Sequence, residues 1–222
     1  MSELGVRSRS VEVSPARLTG WIESFGESHG GALTASPGGD TVVFGAADGA
    51  VAQCQVPFPP LADGSADDPV GVARRLAAHA VADRTVGVLL VRLGGYAAGV
   101  FTGAEPRLAA SKVGSRLVHG RSAAGGQSQQ RFARRRENQA HQALAAAADT
   151  AAAVFGPYQL DVLVLGGDRR ALASVRRDVR LAPYFELAVD PILTVPDPRL
   201  AVLADTPRLF RTVRISLTEP DQ

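Results

Sequence analysis

Residues 125–136 read GGQSQQRFARRR, so Gly125-Gly126 runs directly into Gln127, Gln129 and Gln130, and these into Arg131 and Arg134–Arg136. A glutamine amide donates and accepts hydrogen bonds at once but does not titrate. Such side chains suit the orienting of a water or a ribose hydroxyl, and they suit ordinary acid–base catalysis poorly. Paired glycines admit backbone angles and close approaches that a Cβ forbids. A loop of this kind presses its main chain against a substrate. A helix expected from about Arg131 turns its free amides and its positive end toward that loop. The arrangement fits an anion, or a carbonyl oxygen that is acquiring negative charge.

The arginines add a second requirement. Cations in the first turns of a helix oppose its dipole by about 0.3–1 kcal/mol each when exposed. Phosphate contacts are the simplest compensation. Because Arg134, Arg135 and Arg136 are consecutive, they fan around the helix by about 100° each and straddle a backbone instead of lining one groove. Arg121, just upstream, extends the positive stretch. The task that unites these residues is bringing water to an ester held on a nucleic-acid end.

The charge distribution agrees. The formal charge of the chain is +2, yet residues 107–142 hold eight basic residues against Glu137 alone, a local +7 that leaves −5 for the remainder. One basic patch on an acidic body is the footprint of a polyanion partner.

The elements that must position this loop follow from periodicity and chain breakers. Leu18, Ile22 and Phe25 recur at helical spacing after Ser14 as cap and Pro15, which predicts a helix over 15–28 ended by Gly30-Gly31. Short strands are expected near 32–36, 41–45 and 49–56, then a linker or surface loop at 57–69. A helix over 70–81 turns Val72, Leu76 and Ala80 inward. The run VGVLLVRLGGYAAGVF (86–101) reads as two strands joined at Gly94-Gly95. A third strand falls within 106–119, with Val113, Leu117 and Val118 as its apolar residues. A long Ala-rich helix spans about 131–155, and Gly156-Pro157 stops it. LDVLVLGG (160–167) has strand length and no polar alternation, the mark of a central strand covered on both faces. A helix near 168–178, a loop around Pro191–Pro198, a helix near 198–206 and a strand at 209–217 close the pattern. Strands alternating with helices, around a meander at 86–118, give an α/β (α+β) fold with a mixed sheet flanked by helices. The chain is expected to form a single domain over 1–222, with the N-terminal helix and strands at 10–60 and a core at 84–217.

GGQSQQRFARRRENQA resembles the catalytic loop of the release-factor-like peptidyl-tRNA hydrolases, and in particular the short actinobacterial branch of the VLRF group. The hairpin VRLGGYAAGVF, then SKVGSR, LVHGR and the long helix occur in the same order, so the likeness spans 85–156. The resemblance implies a fold like the middle domain of eukaryotic and archaeal class 1 release factors. It also implies hydrolysis of the ester between a nascent peptide and tRNA on a stalled large ribosomal subunit, without stop-codon reading. The Gly-Gly-Gln of release factors falls on Gly125, Gly126 and Gln127. The looser VLRF spacing, a glycine, two variable residues and a glutamine, leads from Gly126 to Gln129. Both glutamines stay open, with Gln130 as a third. Arg131 and Arg134–Arg136 would hold tRNA or ribosomal RNA phosphates. At 222 residues the resemblance leaves no room for a codon-reading domain.

Other constellations carry less. Asp168 in LGGD (165–168) reads as a helix cap at a strand-to-helix turn, since both G-x-G-x-x-G and the Walker spacing are missing. His29, His79, His119 and His141 lack ligand spacing, and Cys54 is the single cysteine, so no metal, cofactor or disulfide is expected. Arg169-Arg170 and Arg176-Arg177-Arg180 read as a solvated helix face. No apolar run approaches bilayer length and the N-terminus lacks a signal core, which points to a cytoplasmic protein. A monomer is expected from the resemblance, because an enzyme acting on the tRNA end must fit a narrow ribosomal site. The competing reading is a non-catalytic RNA- or ribosome-binding module.

Overall fold

A computed structural model describes residues 6–62, 64, 68–92, 95–115 and 127–220, with 6–7 and 127–138 described by backbone. It is a mixed α+β protein with two five-stranded sheets flanked by helices. The chain divides into two compact units, 1–82 with 208–222, and 83–207.

The first unit is built on β1 (Val6–Val13), α1 (Pro15–Ser28), β2 (Leu33–Pro37), β3 (Thr41–Ala46), β4 (Val51–Gln55), α2 (Pro69–Ala80) and β10 (Val213–Pro220). Its sheet has the order β1-β10-β4-β3-β2, and every pair is antiparallel. Leu18, Ile22 and Phe25 of α1 pack with Val72 and Leu76 of α2 and with Phe44 and Ile215 of the sheet. This is the inward face that the helical spacing predicts. Ser14 holds the N-cap position of α1 with extended backbone, but its side chain makes no capping bond; its carbonyl accepts from Arg17 N at 2.9 Å instead. Asp68 does cap α2, accepting from Val70 N and Gly71 N at 3.0 Å.

Two expectations change in this unit. The strand β1 has no counterpart in the sequence pattern, because residues 8–12 are exposed or half-buried and show no apolar alternation. The segment expected as a surface loop after β4 is anchored instead: Phe58 and Leu61 are buried, and Phe58 meets Phe210 edge-on at 5.6 Å.

The second unit contains β5 (Val86–Arg92), β6 (Gly95–Thr102), β7 (Arg107–Ser115), α3 (Gln127–Phe155), β8 (Val162–Gly167), α4 (Arg169–Val175), a 3₁₀ turn (Val179–Leu181), α5 (Ala182–Phe185) and β9 (Ala188–Leu193). The helix α6 (Leu200–Arg211) begins in this unit and ends in the first. The sheet order is β7-β6-β5-β8-β9, with β5/β8 and β8/β9 parallel and the other pairs antiparallel. This is the mixed sheet expected from the meander and the apolar run at 160–167. Val162–Gly166 are all buried, as an interior strand requires. β9 falls where the prolines suggest a loop. Pro191 sits in an edge strand, where a missing N–H breaks no ladder bond.

Candidate functional site

The long helix is the main positioning element. One face of α3, with Ala147, Ala148, Ala151, Val154 and Phe155, is buried against Leu89, Val91, Ala98 and Val100 of β5 and β6. The recurrence at three and four residues is the helical period, and the small alanines let the helix lie close on the sheet. Phe155 is fully buried and meets the Tyr184 ring edge-on at 5.4 Å. Arg180 ties the same helix from outside, with Nη2 donating to Asp149 Oδ1 at 2.7 Å.

Toward its start, α3 begins at Gln127, about one turn earlier than the expected Arg131. Gln127, Gln129 and Gln130 therefore belong to the first helical turn and not to the loop. The first four amides of a helix, here those of residues 127–130, lack intrahelical acceptors. At about 100° per residue, positions 127, 130, 131 and 134 form one stripe of the helix and positions 129 and 136 another. Gln127 thus shares its stripe with Arg131 and Arg134, and Gln129 shares its own with Arg136. Arg135 lies between the two stripes. Arg121, Gly125 and Gly126 lie outside the described residues, as do His119, Leu117 and Val118.

The segment before α3 leaves the sheet from β7, the edge strand, which pairs with β6 in the register Tyr96↔Gly114. The Tyr96 ring occupies the space that a Cβ on Gly114 would need. The glycine and the aromatic ring thereby fix each other across the strands, a known device for a glycine in a sheet. Val113, one of the apolar residues expected in this strand, is 38% exposed.

At the carboxyl ends of β5 and β8, Gly167 adopts a φ of 102°, and a Cβ there would meet the Val91 carbonyl. Asp168 N donates to that carbonyl at 2.8 Å, and Asp168 Oδ1 accepts from Ala171 N at 2.9 Å. The LGGD segment is accordingly a strand-to-helix turn capped by aspartate, as read from the sequence. Beside it opens a cleft of about 320 Å³ that the sequence reading missed, bordered by Val91, Arg92, Tyr96, Leu144, Asp168 and Arg170. Its walls come from separate elements, so no local motif announces it.

The remaining titratable groups explain themselves structurally. His29 Nδ1 lies 2.7 Å from Asp48 Oδ2. The Ala50 amide, and then His29, hold the Asp48 carboxyl below its usual value. His79 Nε2 is 2.9 Å from the Phe58 carbonyl. Burial pushes the Cys54 thiol up to about 12. Among the described residues no cluster of His, Cys, Asp and Glu could hold a metal ion, and no helix is long and apolar enough to cross a membrane.

Residues 84–216, more than half of the chain, match the family model described as Actinobacteria/chloroflexi VLRF1 release factor. Among solved structures, the chain is similar to the crystal structure of an archaeal translation termination factor, at 11% identity and a TM-score of 0.42, covering 88% of this chain and 62% of that one. A second similarity is to an archaeal protein at 13% identity and a TM-score of 0.30, covering 90% of this chain and 63% of that one. The chain spans less than two thirds of the length of either structure. No curated protein matches it.

Proposed function

The chain belongs to the Actinobacteria/chloroflexi VLRF1 release-factor family, and on that premise we propose that it is a peptidyl-tRNA hydrolase acting on stalled large ribosomal subunits, independently of a stop codon. The family supports a role in translation termination or rescue. The finer reading rests chiefly on one observation: the Gly-Gly-Gln string runs straight into the first turn of a 29-residue helix. The candidate glutamines and the amides of that turn therefore directly follow the two glycines in the chain.

In this reaction a water oxygen bonds to the ester carbonyl carbon, and the carbonyl oxygen becomes an oxyanion. The bond to the ribose 3′ oxygen then breaks. That oxygen takes up a proton and becomes the free hydroxyl of tRNA, and the peptide leaves as its carboxylic acid. Gln127 or Gln129 holds the water. It cannot accept the proton, which passes to the ribose oxygens. Backbone amides of Gly125, Gly126 and the first turn of α3 face the oxyanion, where each such donor is worth about 10²–10³ in rate. Arg121, Gln130, Arg131 and Arg134–Arg136 hold tRNA or ribosomal RNA phosphates. The two units, residues 1–222, work as one monomeric hydrolase in the cytoplasm, without a cofactor.

Release of a labelled nascent peptide from complexes of the large subunit with peptidyl-tRNA tests the reading. Wild type releases the peptide, and either Gln127→Ala or Gln129→Ala abolishes release while RNA binding persists. Release by all three proteins would move the chemistry out of this loop. No release by any of them would leave a binding module.

A further inference from the structure

The cleft beside α4 and the arginines around it are not used by the chemistry above. Val91, Leu144 and the half-buried Ala140 and Ala143 give it an apolar floor, and Tyr96 stands at one side with its ring fixed over Gly114. The Tyr96 hydroxyl makes no hydrogen bond to a described residue. Arg170 lines the rim, and Ser174 Oγ donates to the Arg170 carbonyl at 3.0 Å, so Arg170 and Ser174 follow each other on one side of α4. Arg177 follows in the turn after α4, where its amide donates to the Ser174 carbonyl at 3.3 Å.

The arginines of this region fall into two groups. Arg180 is held by Asp149 and Asp178 at 2.7 and 2.6 Å, and Arg176 lies over the Phe185 ring at 5.8 Å. Arg92 donates to the Val195 carbonyl at 2.7 Å. These three guanidinium groups are engaged by the fold. Arg169, Arg170 and Arg177 are exposed and form no ion pair with any described residue. Of the acids beside them, Asp168 spends an oxygen on the Ala171 amide and Asp178 is held by Arg180.

A cavity of about 320 Å³ lies in the range of small-molecule sites. An apolar trough with an aromatic wall suits a flat heterocycle, and a guanidinium at its rim suits a phosphate. We propose that the cleft receives one unpaired base of an RNA strand, whose phosphates lie on Arg170 and continue over Arg169 and Arg177. A free nucleotide needs one such cation. Three exposed cations on the adjoining surface match a polymer. The proposal shares the RNA partner of the hydrolase reading but not its chemistry. Ala140 stands about 20 Å along α3 from Gln127 at about 1.5 Å per residue. The base site is therefore a second foothold, away from the ester.

The test is fluorescence anisotropy with a short labelled adenine-rich RNA strand, the same sequence as a duplex, and 5′-AMP as competitor, at several salt concentrations. Wild type is expected to prefer the single strand by about tenfold, the worth of one stacked base. The paired exposed-site change Arg169→Glu with Arg170→Glu should weaken strand binding and lower the salt slope by about 0.7 for each phosphate no longer held. Ala143→Phe or Tyr96→Leu should remove the preference for the strand over the duplex, with helical circular dichroism retained. Unchanged strand affinity in the arginine variant overturns the proposal and leaves the cleft to a peptide side chain. Binding of AMP as tight as that of the strand overturns it in favour of a free nucleotide. Peptide release by the glutamine variants is a separate readout, so failure of the hydrolase reading is distinguishable from failure of this one.

Discussion

Arg180 reaches across to α3 and donates to Asp149 at 2.7 Å while holding Asp178 at 2.6 Å. Two carboxylates share one guanidinium, and through it the 3₁₀ turn after α4 is tied to the helix that begins at Gln127. The Arg180 hydrogen bond holds the Asp178 carboxyl below its usual value of 3.8, and both carboxylates raise the arginine further above its usual range.

A depressed carboxyl contributes stability above its unfolded value and loses it as pH falls through the folded one. Arg180→Ala is therefore expected to lower the melting temperature at neutral pH. The difference from wild type should shrink below about pH 3.8, as the Asp178 carboxyl protonates. The groups are exposed, so the shift is small. Thermal melts of the two proteins across a pH range of about 2–7 check this, and a difference that does not change with pH would remove the ion pair from the account.

Gly167→Ala should destabilise by about 2 kcal/mol or more, because φ is 102° and the new Cβ meets the Val91 carbonyl. Urea unfolding followed by circular dichroism measures it. A cost within about 0.5 kcal/mol would mean that the turn relaxes freely.

Cys54 should be inert in the folded protein. Its thiol is fully buried and pushed up to about 12, so almost no thiolate exists near neutral pH. A colorimetric thiol reagent should react only after denaturation. Fast reaction with the native protein would show that β4 opens.

Phosphate binding at the start of α3 has an ionic signature. Arg134→Ala and Arg135→Ala should weaken RNA binding and flatten its dependence on salt, by about 0.7–0.9 in slope for each phosphate released. An untouched slope would remove the phosphate role from these residues.

Much of the frame around the site is legible in sequence. The spacing of Leu18, Ile22 and Phe25, the pair of strands around 94–95 and the apolar run at 160–167 all fold as their periodicity demands. In each case the signal lies within a few residues, since helix period, strand alternation and glycine breaks are local properties. The start of α3 is harder to read. Glutamine, serine and arginine carry no apolar period, so the sequence places its start near Arg131, about one turn later than Gln127.

The sequence by itself determined the chemistry on offer: a glycine pair, three glutamines and a cluster of arginines before a long helix, with the family likeness that they carry. Tertiary structure alone decided the pairing of Val6–Val13 with Val213–Pro220, which joins the two ends of the chain in one sheet. It also decided that Pro191 lies in an edge strand, and that Tyr96, Leu144 and Arg170 meet around a single cleft. Those facts depend on which distant segments exclude water from one another, and no residue's neighbours in sequence record that.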